Sequence, residues 1–87
     1  MAGYHLTIST PEGTVFDGET EKLLFRAAGG DMTILRGHVS LMTTVRPGTV
    51  KLTLPDGAVR TGRAESGIVS VGKEGVTMLS DTFKWTE

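Results

Sequence analysis

Two histidines, a serine beside a glycine, and a glycine pair before an aspartate are the residues whose types could do chemistry in this sequence. His38 lies in Arg36-Gly37-His38, where it could serve as a base, a ligand, or a turn residue that bonds backbone or faces a partner. The turn reading is the expectation, because no second catalytic group is spaced around it. His5 stands on the opposite side of its segment from Tyr4, Leu6 and Ile8 and is expected to be solvated. Two histidines far apart, without spaced carboxylates, do not make a metal site. Ser66 in Glu65-Ser66-Gly67 lacks the strand–Gly-x-Ser-x-Gly–helix setting that exposes a nucleophilic serine, so turn chemistry is expected there. Gly29-Gly30-Asp31 is followed by neither Gly-Lys-Ser/Thr nor a long helical pattern, both of which a phosphate-cradling loop needs. Glu19 and Glu21 read as a solvated face. With no cysteine in the chain, a thiol nucleophile, a disulfide and a thiolate metal site are all excluded. No active site assembles from these parts, and the expectation is a protein that is not an enzyme and needs no cofactor or metal.

Composition narrows the remaining classes. At 87 residues the chain is expected to be one domain. It should bury only roughly 60–65% of its unfolded surface, so partners would help its stability. Nine Lys+Arg against ten Asp+Glu, a net charge of −1, argue against a nucleic-acid binder. The absence of a run of about 18 apolar residues excludes direct membrane insertion, and Met1-Ala2-Gly3-Tyr4-His5 does not read as a signal peptide. A soluble, intracellular protein is expected.

The elements that must position these residues read as strands. Val, Ile and Thr total 24 residues against five Ala, and there are 12 Gly. β-Branched residues suit a pleated, half-buried surface, and glycines supply tight turns. Tyr4–Ser9 alternates apolar and polar, and Thr10-Pro11-Glu12-Gly13 stops it. Thr14–Asp17 forms a second strand, ending at Gly18. Glu21–Ala28 is ambiguous between a short amphipathic helix and a strand; a strand is expected among so many others. Met32–Leu35 and Val39–Val45 are strand-like, and Arg46-Pro47-Gly48 turns the chain. Val50, Leu52 and Leu54 alternate with polar residues before Pro55-Asp56-Gly57, a strong hairpin signal. Ile68–Val71 and Val76–Leu79, joined by Gly72-Lys73-Glu74-Gly75, predict a second hairpin. The tail 81–87 has no clear period and is expected to leave the domain. Turn signals recur about every 8–12 residues, which predicts a β-sandwich or flattened barrel.

Two non-enzymatic classes of this size fit poorly. A biotinyl or lipoyl carrier places its lysine in a Met-Lys-Met or Asp-Lys-Ala hairpin, and Lys73 has neither setting. An oligonucleotide-binding barrel stacks bases on aromatics along a basic groove, whereas five aromatics and no basic cluster are seen here.

Gly30-Asp31-Met32-Thr33-Ile34-Leu35-Arg36-Gly37-His38-Val39-Ser40-Leu41 resembles the Gly-Glu-Leu-Gly-Ile-Leu-Pro-Gly-His-Ala-Pro-Leu stretch of the epsilon subunit of F-type ATP synthases. Around it, Thr10–Gly13 with Val15–Gly18 resembles that family's opening strand and turn. Arg46-Pro47-Gly48-Thr49-Val50 resembles its Lys-Pro-Gly turn. Glu65–Ile68 resembles its Ser-Gly-Gly-Phe, and Val76–Thr82 its Val-Thr-Val-Leu-Ala-Asp-Thr. The resemblance covers nearly the whole chain, in order.

It implies an all-β domain over 1–87: a ten-stranded flattened barrel, or two-sheet sandwich, in the central stalk. The implied role is non-catalytic. The subunit would link the gamma subunit to the polar loops of the c-ring and couple proton transport to rotary ATP synthesis, peripherally, at the cytoplasmic face of a bacterial plasma membrane. By position, the loop from Gly30 through His38 would face the c-ring, with Gly30, Asp31, Met32, Arg36, Gly37 and His38 as its residues. Thr10, Leu41, Met42 and Thr43 would face gamma. Ile34, Leu35 and Leu41 are instead expected to be core. Arg36 and Ser40 stand where the family has prolines, and Thr33 where it has glycine, which should loosen that loop. The family usually continues into a two-helix hairpin that can block rotation and, in some members, binds ATP. This chain ends at Glu87, so coupling without that brake and without ATP binding is expected. The other reading is a free-standing β-sandwich adaptor unrelated to ATP synthase.

Overall fold

Alternation between buried apolar and exposed polar side chains makes strands of nearly every segment in the computed structural model, which describes residues 3–36 and 40–87. In chain order they are β1 (Tyr4–Thr10), β2 (Gly13–Thr20), β3 (Lys22–Ala27), β4 (Gly30–Leu35), β5 (Leu41–Val45), β6 (Gly48–Thr53), β7 (Val59–Ala64), β8 (Gly67–Gly72), β9 (Gly75–Ser80) and β10 (Phe83–Trp85). The ambiguous Glu21–Ala28 segment is a strand. Leu23, Phe25 and Ala27 are buried while Lys22 and Arg26 are exposed, a period of two that a helix could not keep.

The ten strands form one sheet that folds over itself. Strands β4-β3-β6-β7-β10 make a first leaf and β5-β8-β9-β1-β2 a second. The fold line is β3, which pairs through Leu24 with Lys51 of β6 and through Ala27 with Val45 of β5. Among the described residues all pairings are antiparallel except β1 with β9, where two segments distant in sequence run side by side. Leu6 and Ile8 of the second leaf pack with Leu23, Phe25, Ile34 and Leu52 of the first in one core.

Polar ties close the gaps between the leaves. The Tyr4 hydroxyl donates to the Ile34 carbonyl at 2.6 Å. Buried Thr20 donates to the Thr53 carbonyl at 2.8 Å where the chain passes from one leaf to the other. At the opposite margin, Phe16 of β2 meets Trp85 of β10 edge-on at 6.4 Å, and Phe83 meets Trp85 at 4.9 Å. The tail therefore does not leave the domain: β10 pairs with β7 and its aromatics cover the core. Three residues are too few to show a period, and the aromatic content of Phe83 and Trp85 is what holds the strand down.

Two glycines have requirements the structure makes visible. Gly57 takes a φ of 92° in the Asp56-Gly57 turn, where the Asp56 carboxylate accepts the Ala58 N–H at 2.9 Å. At Gly67 a Cβ would lie 2.0 Å from the Leu79 carbonyl oxygen, so only glycine lets β8 approach β9 so closely. The molecule exposes 5119 Å². Two standard contact patches of about 800 Å² each would cover roughly a third of that.

Candidate functional site

The groups with chemical potential are dispersed or already engaged. His5 is exposed on β1, with Nε2 at 2.6 Å from Asp17 and Nδ1 at 3.6 Å from Glu19. The two carboxylates hold opposite ring nitrogens, so they do not converge on one point as metal ligands must. Among the described residues no three His, Cys, Asp or Glu side chains gather as a metal site would require. Ser66 occupies the turn between β7 and β8, where its carbonyl accepts the Asp81 N–H. Lys73 sits at the exposed tip of the β8–β9 hairpin. No helix among the described residues is long and apolar enough to cross a membrane. Burial holds the Tyr4 hydroxyl well above the usual phenol range, opposed in part by a backbone hydrogen bond at Leu23.

What this surface offers is contact area. On the outer face of the second leaf, Ile68 of β8 stands directly opposite Leu79 of β9, and Thr44 of β5 opposite Ile68. Met42 lies two residues before Thr44 and so shares that face. These three apolar side chains are exposed by 69% (Met42), 43% (Ile68) and 54% (Leu79). Pro11 and Thr10 border Ile68 and Leu79 in a shallow groove of about 410 Å³.

The remaining expected contact residues divide between places. Of the four expected to face gamma, Met42 is on this outer face and Thr10 on the groove. Leu41 and Thr43 alternate to the inner side, Leu41 packing on the core and Thr43 pairing with buried Val69. Met32–Leu35 is a strand as expected, and that strand, β4, already begins at Gly30, so most of the segment expected to face the c-ring is extended, with Met32 packed against the core. Asp31 and Arg36 accordingly lie at opposite ends of that strand, about 17 Å apart along it. Gly30 and Asp31 share their end with Val45, Gly67 and Ser80 by register. Gly37 and His38 lie outside the described residues. Ile34 is core as expected, but Leu35 is 47% exposed, because it falls on the outward side of β4.

Ile68 and Leu79 were not singled out from the sequence, although a signal existed. Each occupies the polar phase of its strand, with Ser70 and Thr77, while Val69, Val71, Val76 and Met78 fill the buried phase. The sequence also shows no basic cluster, yet the fold makes one. Lys22, Arg26, Lys51, Arg63 and Lys84, from four different strands, all lie on the outer face of the first leaf.

Comparison with known proteins bears on the whole chain. Residues 3–86 match the family described as ATP synthase, Delta/Epsilon chain, beta-sandwich domain. The chain is 32% identical over its full length to an ATP synthase epsilon chain of Ruminococcus albus, covering 65% of that protein. It is 35% identical over 94% of its length to one of Bordetella avium, covering 58%. Among solved structures, 98% of the chain superposes on 54% of a chain in the cryo-EM structure of the Euglena gracilis mitochondrial ATP synthase (OSCP/F1/c-ring), with a TM-score of 0.90 at 18% identity. A chain in the Tetrahymena thermophila mitochondrial ATP synthase central stalk/c-ring gives 0.76 at 11% identity, with 92% of this chain on 64% of that one.

Proposed function

The chain belongs to the ATP synthase delta/epsilon chain β-sandwich family, and from that premise we propose that it works as a non-catalytic rotor subunit. In this reading it joins the gamma subunit to the c-ring and helps couple proton transport to rotary ATP synthesis, peripherally, on the cytoplasmic face of a bacterial plasma membrane. An adaptor unrelated to ATP synthase falls away with the family membership. The chain spans between 58% and 65% of the length of the two curated relatives named above.

The observation that carries the reading is the apolar outer face at Met42, Ile68 and Leu79. Singly exposed apolar residues are ordinary, but three on one face beside an apolar groove suit a buried protein contact. We assign this face, with Thr10 at its groove, to gamma. Leu41 and Thr43 support it from behind rather than touching the partner.

The c-ring contact belongs at the end of the sandwich carrying Gly30 and Asp31. That end lies beside the groove, so partners on the groove and on the end would adjoin each other. Asp31 is exposed there, 3.4 Å from Arg26, and offers a polar contact to polar loops. Arg36 lies toward the other end and is assigned away from the ring.

A photo-crosslinking amino acid placed at Met42, and separately at Asp31, in the assembled complex tests both assignments. The expected products are a gamma adduct from position 42 and a c adduct from position 31. Reversed adducts, or none to either subunit, would overturn the assignment.

A further inference from the structure

The outer face of the first leaf is chemically unlike that of the second. Along β4-β3-β6-β7-β10 the outward positions carry Lys22, Arg26, Lys51, Arg63 and Lys84, with threonines between them and with Asp31, Leu24, Leu35 and Val59 on the same face. Lys51 pairs with Leu24 on one side and Thr61 on the other, and Lys84 stands directly opposite Arg63. Neighbouring strands are about 4.8 Å apart, so these cations crowd one flat surface. Two of them already hold carboxylates of this chain: Arg26 with Asp31 at 3.4 Å and Arg63 with Glu65 at 3.0 Å. The outward side of β1 and β2, on the other leaf, carries Asp17 and Glu19. A net charge of −1 thus conceals a molecule with five cations gathered on one face.

On the basic face is a shallow hollow of about 430 Å³ whose lining includes Arg26, Lys51 and Arg63, with Leu24, Gly48 and Thr49, and one carboxylate, Asp31, which Arg26 holds. A Cβ on Gly48 would lie 3.1 Å from the Arg26 Cβ, so the glycine leaves room for the arginine stem to cross the sheet. We propose that this face docks an acidic segment of a partner protein, with partner carboxylates received between Arg26, Lys51 and Arg63. The inference does not depend on which subunit meets the apolar face.

Two observations favour acidic protein over other polyanions. The aromatics of this leaf, Phe25, Phe83 and Trp85, all point into the core, so no base can stack on the basic face. A membrane or a duplex presents charge over an area larger than this molecule and meets its overall slightly negative balance. A protein patch of ordinary size, about 800 Å², engages one face alone. Guanidinium groups also suit carboxylates, and Arg26 and Arg63 each already hold one of this chain's own.

The test uses the full chain, with an oligo-glutamate peptide as probe and backbone NMR shifts as readout. The proposal expects shifts confined to β3, β6, β7 and β10 that fade at raised ionic strength. Lys51→Glu with Lys84→Glu should weaken peptide affinity about tenfold or more, and the neutral pair Lys51→Gln with Lys84→Gln should weaken it less. Lys73→Glu, at the tip of the β8–β9 hairpin, should leave it unchanged. Four results would overturn the proposal: no shifts, shifts centred elsewhere, tighter capture by phosphatidylglycerol vesicles or duplex DNA at equal ionic strength, or self-association abolished by Asp17→Lys with Glu19→Lys. That last result would identify a second copy as the occupant.

Discussion

Ile68 and Leu79 face each other across β8 and β9 on the solvent side of the sheet, each about half exposed, while their neighbours Val69 and Met78 are fully buried. The pair sits where sheet geometry calls for polar residues. Burying it against a partner would recover roughly 25 cal/mol per Å² of apolar surface removed from water, with none of the cost of rearranging the core. Its placement beside Met42 and the Thr10 groove makes it the centre of the proposed gamma contact.

Because the pair makes little contribution within the monomer, Ile68→Thr and Leu79→Thr should each shift unfolding free energy by only about 0.5 kcal/mol or less. Thermal unfolding of the isolated chain checks this. A loss of several kcal/mol would mean that the pair serves the fold rather than a partner.

Gly67 behaves oppositely. Alanine there would drive a Cβ into the Leu79 carbonyl, 2.0 Å away, and force β8 from β9. Gly67→Ala should cost about 2–3 kcal/mol, read as a lowered urea midpoint.

Trp85 closes the open margin of the sandwich. It stacks edge-on with Phe16 and Phe83 and lies under the Arg60 guanidinium, 3.9 Å from its ring centre. Trp85→Ala should cost about 2–3 kcal/mol, since the side chain is half-buried rather than fully enclosed. Arg60→Ala should cost less, about 1 kcal/mol. Glu87 holds Arg60 at 2.7 Å, and that hydrogen bond keeps its carboxyl below the usual range. Chemical denaturation of both variants should reproduce that order.

Tyr4 gives the fold an alkaline limit. Burial raises its pKa from 10.0 in the folded chain, so above about pH 10 the unfolded chain loses this proton and the folded chain keeps it. Stability is therefore retained below pH 10 and falls as pH rises beyond it. Tyr4→Phe should flatten that decline, while costing about 1 kcal/mol at neutral pH through loss of the bond to Ile34. Denaturation midpoints measured on both sides of pH 10 distinguish the two effects.

Local patterns made much of this fold legible. Alternation at Leu6 and Ile8, the Asp56-Gly57 turn and the Gly72–Gly75 tip each follow from a short stretch of chain. What escaped depends on distant segments meeting. The three residues of β10 reveal themselves only through β7 and Phe16. Arg26, Lys51, Arg63 and Lys84 are scattered along the chain and become one surface only through strand order. Met32–Leu35 is legible as a strand, but not its extension back to Gly30, which sets Asp31 and Arg36 toward its two ends. Ile68 and Leu79 are legible in principle, as apolar residues in the polar phase of their strands.

The central claim is tested most directly by titrating purified gamma subunit with the intact chain and with Leu79→Asp. A charge buried in the proposed contact should weaken the Kd roughly thirtyfold or more, the loss of a ~2 kcal/mol interface residue, with folding unchanged. A Kd equal to that of the unaltered chain would contradict the assignment of this face to gamma.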